Sequence, residues 1–581
     1  MSTTVKNNVS LLLVYLKPQY HKVLLLAASL IIGIGLQVFN PQVLRFFIDT
    51  AVSSGATSTL IGAGILFIAA GIANQMVSIA SSYLSTSVAW TAMNRLRSDL
   101  IEHCLGLDMS FHNAHTPGEM IERIDGDVNA LSNFFSQLVI NLVTSAMLLT
   151  VIIALFFIID WREGIIMALF SLTAIVILMG IRRRAIPRWK SVRQMNGTFY
   201  GFLGERLAGL EDIRANGAVS YTLQRFYFLI REWFPLFRKA ETAGAMMGIW
   251  GLFLFACGTV VALATGTYLW MHGLITIGTV YVIYAYTEQL TQPIQKIQAQ
   301  LEDLQQVEAC IRRIKELLSI KSTLHDGQER YLTQQAMAVD FDGVTFGYTP
   351  DRPVVSNLSF RIEPGRVLGI LGRTGSGKTT ITRLLFRLYD AQEGEIRLDG
   401  RLIETMRLED VRGLVGMVTQ DVELFHATVR DNVAFFNHAI SDESIRYALE
   451  DVGLSIWYQA LPEGLDTIIS TSDQGLSAGE AQLLALARVL LMKPRLVILD
   501  EASSRLDSAT EMLIEHAINR LFVGRTALVI AHRLKTIERA DDILILEDGC
   551  VVEYGPREVL AADPHSRFSF MMRIGLRETR I

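Results

Sequence analysis

Six runs of mainly apolar residues crowd the first half of the chain, near positions 23–47, 60–84, 135–159, 164–181, 246–271 and 274–297. At 1.5 Å per residue a helical run of about 18 residues or more can cross roughly 30 Å of hydrocarbon, so each is read as a membrane-crossing helix. Composition agrees: the 581 residues are 50% hydrophobic and 19% charged, with mean hydropathy +0.33. A typical soluble chain is about 25% charged. Disordered, collagenous and small disulfide-stapled chains are excluded, leaving one large membrane block with one or two soluble domains. The formal charge of -5 and pI near 6.2 leave no basic surplus for binding nucleic acid. An anionic ligand must therefore meet a local site. Cys104, Cys257, Cys310 and Cys550 stand far apart, in neither disulfide-framework nor zinc spacing, which suits a thiol-reducing cytosol.

The first run follows Lys17 and Lys22, as a signal peptide would, but no small-residue cleavage site precedes LRFFIDT, so it is expected to be a retained span. Positive charge sets the orientation. Lys6, Lys17 and Lys22 at the N-terminus, Arg95, Arg97 and Arg123 between spans two and three, and six Arg or Lys from Arg182 to Arg193 between spans four and five place these stretches in the cytoplasm. The alternate connections hold only Arg162. Both termini are then cytoplasmic, in a multi-pass protein of the cytoplasmic membrane. The two long cytoplasmic connections interleave apolar and charged residues and are expected to continue the helices beyond the bilayer.

Beyond span six, the stretch around 321–336 turns polar and aperiodic, and we expect a linker there between a transmembrane domain over 1–320 and a soluble domain over 337–581. In the latter, short β-rich runs such as RVLGIL, RLVILD and ALVIAH alternate with helical stretches. This predicts an α/β domain with a mainly parallel sheet and a small antiparallel β lobe, joined to an α-helical membrane domain of six transmembrane helices.

The strand RVLGIL runs into a helix through Gly372, Arg373, Thr374, Gly375, Ser376, Gly377, Lys378, Thr379 and Thr380, matching GxxxxGK[ST]. Such a loop curls so that backbone N–H groups converge on phosphate oxygens while the helix directs its positive end at them. Lys378 is expected to reach the β- and γ-phosphates, and Thr379 to ligate Mg²⁺. The run RLVILDEAS ends a buried strand at Asp500, where a carboxylate can hold the Mg²⁺ shell. Glu501 follows at once and would polarise an attacking water. Hydrolysis of a nucleoside triphosphate with Mg²⁺ is the reading from these residues.

The order of motifs resembles the ATP-binding-cassette exporters, in particular half-transporters with six spans followed by a nucleotide-binding domain. The resemblance covers nearly the whole chain. It implies that Tyr348 in FGYTP stacks on adenine, that Gln420 in VTQD meets Mg²⁺ and couples to the membrane part, that Asp507 ends the D-loop, and that His532 in IAHRL contacts the γ-phosphate beside catalytic Glu501. FHNAHTPGEMIERIDGDVNAL and GLEDIRANGAVSYTLQRF resemble the two intracellular loops whose short helices dock on cassettes. The family mechanism implied is ATP-driven dimerisation of two cassettes, which switches the spans between inward- and outward-facing states.

The chain departs from the family in its signature, which reads Leu476, Ser477, Ala478, Gly479, Glu480 where LSGGQ is usual. A carboxylate replaces an amide near the partner's triphosphate, and Ala478 replaces a freer glycine. An intact Walker set beside an altered signature resembles one subunit of a bacterial heterodimeric multidrug- or lipid-type exporter with one degenerate site; a homodimer with a tolerated variant is the alternative. On the sixth span Tyr281, Tyr284 and Glu288 share a face, with Gln292 nearby. With Asn40, Asn74 and Gln75 they suggest a partly polar cavity for an amphipathic or hydrophobic small molecule, lipid or peptide, although Glu288 and Gln292 would equally suit a cytoplasmic extension. An ATP-gated channel or a regulatory membrane ATPase shares these features; a soluble repair or translation ATPase does not fit six spans.

Overall fold

The computed structural model of the chain describes residues 14–349, 351–419, 422–469, 476–500, 508–530 and 537–578. Contacts divide it into two units, Met1–Leu105 with Pro117–Ile320, and Gly106–Thr116 with Lys321–Ile581.

The first unit is built of long helices: α1 (Tyr20–Val52), α2 (Thr57–Leu105), α4 (Pro117–Ile159), α5 (Trp161–Ala208), α7 (Val219–Met271) and α8 (Ile277–Ser319). Two short helices lie between them in the chain, α3 (Met109–Ala114) and α6 (Leu210–Ala215), each inside one of the two long connections. Capping fixes several starts. The Asp160 carboxylate accepts from Arg162 N at 2.8 Å before α5, and Thr276 Oγ1 accepts from Thr279 N at 3.2 Å before α8. Within α4 the ladder loosens into π-type turns at Glu122–Gly126 and Phe134–Val139.

Leu148, Ile152, Phe156, Met167 and Ile283 form a buried core, yet Ile65, Leu169 and Leu252 are 64%, 63% and 75% exposed. A bundle apolar both inside and out is built for hydrocarbon. Among the described residues five helices are long and apolar enough to span by length and composition; α8 falls short because its first half carries Glu288, Gln289 and Gln292 among tyrosines. It is nonetheless packed in the same core through Val282, Ile283, Tyr286 and Leu290. Tyr286 donates to Val38 O at 3.0 Å and accepts from Gln42 at 2.9 Å, while the Asp49 carboxylate accepts from Thr276 Oγ1 at 2.8 Å and Gly278 N at 2.9 Å. These bonds tie the first turns of α8 to α1. Arg313 holds buried Asp127 with Nε 2.8 Å from Oδ2, joining α8 to α4.

The second unit holds two main sheets. The strands are β1 (Val339–Phe346), β2 (Val355–Ile362), β3 (Val367–Gly372), β4 (Glu393–Leu398), β5 (Arg401–Leu402), β6 (Val415–Val418), β7 (Ala427–Thr428), β8 (Ile468–Ile469), β9 (Leu496–Asp500), β10 (Thr526–Ile530), β11 (Asp542–Glu547) and β12 (Cys550–Pro556). A six-stranded sheet runs β12-β11-β3-β10-β9-β6, parallel except for β12, and a four-stranded antiparallel sheet runs β2-β1-β4-β5. The near-continuous apolar runs of β3, β9 and β10 suit strands covered on both faces; Leu368, Ile370, Leu496, Ile498, Leu528 and Ile530 are buried together.

Residues 321–336, expected as a linker, run along this unit: Glu329 N donates to Thr405 O at 3.0 Å and Tyr331 Oη to Asp399 at 2.7 Å. Asp108 fixes the other end of the arrangement. Its carboxylate caps α3 at Phe111 N (3.1 Å) and accepts from Thr323 N (2.6 Å) and Thr323 Oγ1 (2.7 Å). Burial raises the carboxyl pKa, but the hydrogen bonds from Thr323, Phe111 and Ser110 outweigh it and hold the group below its usual range. A depressed acid stabilises the fold above its unfolded pKa of about 3.9 and loses that contribution as pH falls through its folded value. Asp108→Ala should therefore speed hydrogen exchange at the Thr323 amide at pH 7. In the unsubstituted chain the same acceleration should begin only as pH drops below about 4; equal exchange in both chains at pH 7 would refute the clasp.

Candidate nucleotide site

The phosphate loop leaves the carboxyl end of β3, in the middle of the parallel sheet, where open α/β sheets place ligands. Gly375 (φ 86°) and Gly377 (φ 100°) take left-handed backbone that side-chain-bearing residues disfavour. A Cβ at Gly377 would also lie 2.6 Å from Val355 Cγ1. The turn delivers the chain into α9 (Lys378–Leu385), with Gly377 at its N-cap.

Lys378 is buried, and its Nζ donates to Gly372 O at 2.8 Å and Arg373 O at 3.0 Å. The ammonium is thus folded across the loop. Ser376 is also buried, and its Oγ has no hydrogen-bond partner among the described residues. A buried orphan hydroxyl is costly unless something outside the chain meets it. Arg373, Thr374, Gly375 and Thr379 are exposed. A triphosphate fits this cradle: it supplies the acceptor that the Ser376 hydroxyl lacks, and Mg²⁺ fits the exposed Thr379 hydroxyl with the Asp500 carboxylate at the end of a strand of the same sheet. Asp500 is half-buried at the end of β9, in register with Ile530 of β10, which separates β9 from β3.

Tyr348 is 43% exposed and held by three neighbours: its hydroxyl lies 3.3 Å from Thr380 Oγ1 and accepts from Arg383 Nη1 at 3.0 Å, and its ring meets Tyr389 edge-on at 5.3 Å. Gln392 clamps the backbone before it, accepting from Gly347 N at 2.9 Å and donating to Gly347 O at 3.0 Å. The tyrosine borders a cleft of about 770 Å³ that also touches Arg383, Asp390 and Asn113. Sequence reasoning missed Arg383, Tyr389 and Gln392, which belong to no short motif.

The signature residues open α10 (Ala478–Met492). Ser477 is its N-cap: Ser477 Oγ accepts from Glu480 N at 3.2 Å, and the Glu480 carboxylate accepts from Ser477 N at 2.7 Å. The departure from the usual signature is therefore a complete capping box, for which a glutamate serves as well as a glutamine. The Ser-x-x-Glu spacing carried that information. Further along α10, Arg488 donates to Asn432 O (2.6 Å), Asn432 Oδ1 (3.1 Å) and Glu423 O (3.0 Å), and burial pushes its guanidinium down to about 10. Four expected site residues, Gln420, Glu501, Asp507 and His532, lie outside the described residues.

Comparison with known proteins agrees with this architecture. Residues 23–294 match the family model for the ABC transporter transmembrane region and residues 355–504 that for the ABC transporter. The chain is 30% identical to YknV, an uncharacterized ABC transporter ATP-binding protein of Bacillus subtilis (strain 168), over 95% of this chain and 92% of that one. It is 29% identical to the ATP-dependent lipid A-core flippase of Alcanivorax borkumensis, over 98% and 97%. A solved bacterial Atm1-family ABC exporter with ATP bound superposes with a TM-score of 0.79 at 25% identity, covering 95% of this chain and 98% of that one. The chain belongs to the ABC transporters, as a fused half-transporter of the exporter kind that couples ATP hydrolysis to transport across a membrane.

Proposed function

We propose that the chain exports an amphipathic or hydrophobic small molecule, lipid or peptide across the cytoplasmic membrane by alternating access, as half of a dimer, with both termini cytoplasmic. A transmembrane domain over 1–320 and a cassette over 337–581, joined through 321–336, carry the two halves of the task. The observation that carries the reading is the phosphate cradle: a buried Lys378 folded across a glycine loop beside an orphan Ser376 hydroxyl.

In this reading Tyr348 offers its ring to adenine, Lys378 and the loop N–H groups hold the β- and γ-phosphates, and Thr379, Asp500 and Gln420 hold Mg²⁺. Bound there, the ion would neutralise phosphate charge. Glu501 orients and polarises the attacking water, and His532 contacts the γ-phosphate. Leu476, Ser477, Ala478, Gly479, Glu480 and Asp507 face the partner's ATP. Because Ser477 Oγ accepts from Glu480 N, it keeps its own hydrogen for a phosphate oxygen; the Glu480 carboxylate opposes that approach electrostatically. A second half-transporter with an intact signature is the preferred partner.

Glu480→Gln isolates the charge, since glutamine completes the same box. The thermal midpoint should stay within about 1 °C, because a capping interaction of about 1 kcal/mol is retained, while Mg-ATPase turnover rises. Unchanged turnover counts against the charge argument. Direction is tested in inside-out vesicles: ATP-dependent accumulation of a fluorescent amphiphile supports export, and nucleotide-gated ion flux without turnover supports a channel instead.

A further inference from the structure

Helices α1, α2, α4 and α8 of the first unit surround a cavity of about 500 Å³ whose lining is polar for helices so apolar elsewhere. Asn74, Gln75, Asn141 and Gln292 supply amides. Tyr281, Tyr284 and Glu288 do not line it; Glu288 accepts instead from Thr259 at 3.2 Å. Lys296 is the one charged group on the wall, and among the described residues no carboxylate lines the cavity. Lys296 also makes no ion pair with any described residue.

The hydroxyls sharpen the chemistry. Ser81 donates to Val77 O at 2.8 Å and lies 2.9 Å from Ser29 Oγ, Ser29 donates to Leu26 O at 2.7 Å, and Ser85 donates to Ser136 O at 2.6 Å. Each of these hydroxyls has spent its hydrogen and keeps lone pairs. The wall therefore accepts hydrogens from a guest while Lys296 and the amides donate to it. Thr144 Oγ1, buried on the same wall, has no hydrogen-bond partner among the described residues. Leu30, Ile34, Ile140 and Leu148 add an apolar side. A lysine at the end of an apolar run can simply snorkel to water, but here it shares a cavity with groups that complement an anion bearing donors. Ionisable side chains among membrane helices tend to mark substrate paths.

Resting on the transport reading above and naming its substrate class, we propose that this cavity holds the head of an anionic amphiphile that also carries hydroxyl hydrogens. Lys296 meets its acid group, the serine oxygens accept its hydroxyls, and the apolar side receives the start of its hydrocarbon.

The test is native mass spectrometry of the full chain in a neutral maltoside detergent, without nucleotide, so that binding is read independently of ATP hydrolysis. The probes are dihexanoyl phosphatidylglycerol, dihexanoyl phosphatidylcholine and free glycerol 1-phosphate. Phosphatidylglycerol should bind at least about tenfold more tightly than phosphatidylcholine, equivalent to 1.4 kcal/mol. Lys296→Gln should erase that preference and Lys296→Arg should restore it, which separates charge from folding. Glycerol 1-phosphate binding as tightly as the lipid would assign the site to a free phosphate; weaker binding would assign it to a lipid head. Equal binding of the two lipids, or a preference that survives Lys296→Gln, overturns the proposal. Mg-ATPase measured on the same preparation tests the transport reading separately: a chain that hydrolyses ATP but shows no lipid preference loses this inference alone.

Discussion

Lys378→Ala lowers the Mg-ATPase rate of the reconstituted transporter on the order of 10²- to 10³-fold, the scale of removing one preorganised donor from a developing charge. The Nζ is held at 2.8 and 3.0 Å by two loop carbonyls, so its position is set before nucleotide arrives and little reorganisation opposes its action. Alanine leaves those carbonyls without their donor and the phosphates without their fixed cation. Lys378→Arg is not a rescue: a planar guanidinium does not fit a buried point-charge position. Measured by phosphate release under saturating Mg-ATP, a loss of less than tenfold in Lys378→Ala would mean that the cradle is not the hydrolytic site.

Asn432→Leu destabilises the cassette by about 3 kcal/mol, several unsatisfied buried groups at about 1 kcal/mol each. Asn432 is fully buried; its Oδ1 accepts from Phe425 N at 2.9 Å and from Arg488, and its Nδ2 donates to Phe425 O at 2.8 Å with Ala427 O and Thr428 O at 3.3 and 3.2 Å. Leucine keeps the branched shape, is somewhat larger, and satisfies none of them. The bonds pin the turn that follows the expected coupling residue Gln420 to the helix that opens with the signature, so one side chain organises two stretches expected to meet nucleotide. At roughly 2–4 °C per kcal/mol for a domain of this size, the thermal midpoint of the full chain should fall by about 6–12 °C. A fall under 2 °C would show that water replaces the network.

Much of this was legible in the residues themselves. Long apolar runs can only be satisfied as helices in hydrocarbon, and GxxxxGK[ST] after a buried strand needs its particular backbone wherever it occurs. The glycine loop, Lys378 and the mainly parallel sheet are accordingly where the pattern puts them. What escaped depends on side chains distant in sequence. Asn432 with Arg488, Gln392 against Gly347, and Asp108 with Thr323 are pairs that no periodicity announces. The α8 helix shows the limit of hydropathy, since Glu288, Gln289 and Gln292 lower its apolarity while its other residues pack in the membrane core. Glu480 shows a limit of motif matching: compared with the usual signature it is a defect, and as the third residue of a helix it is a cap.

Whether this half-transporter hydrolyses ATP as a dimer is tested by measuring Mg-ATPase rate and particle mass together in lipid nanodiscs, for the chain alone and with a second half-transporter bearing an intact signature. Glu501→Gln serves as the control. Hydrolysis should come from a dimer, be silenced by the control and be strongest when the partner is present; turnover untouched by Glu501→Gln, or hydrolysis by a monomeric particle, would overturn that assignment.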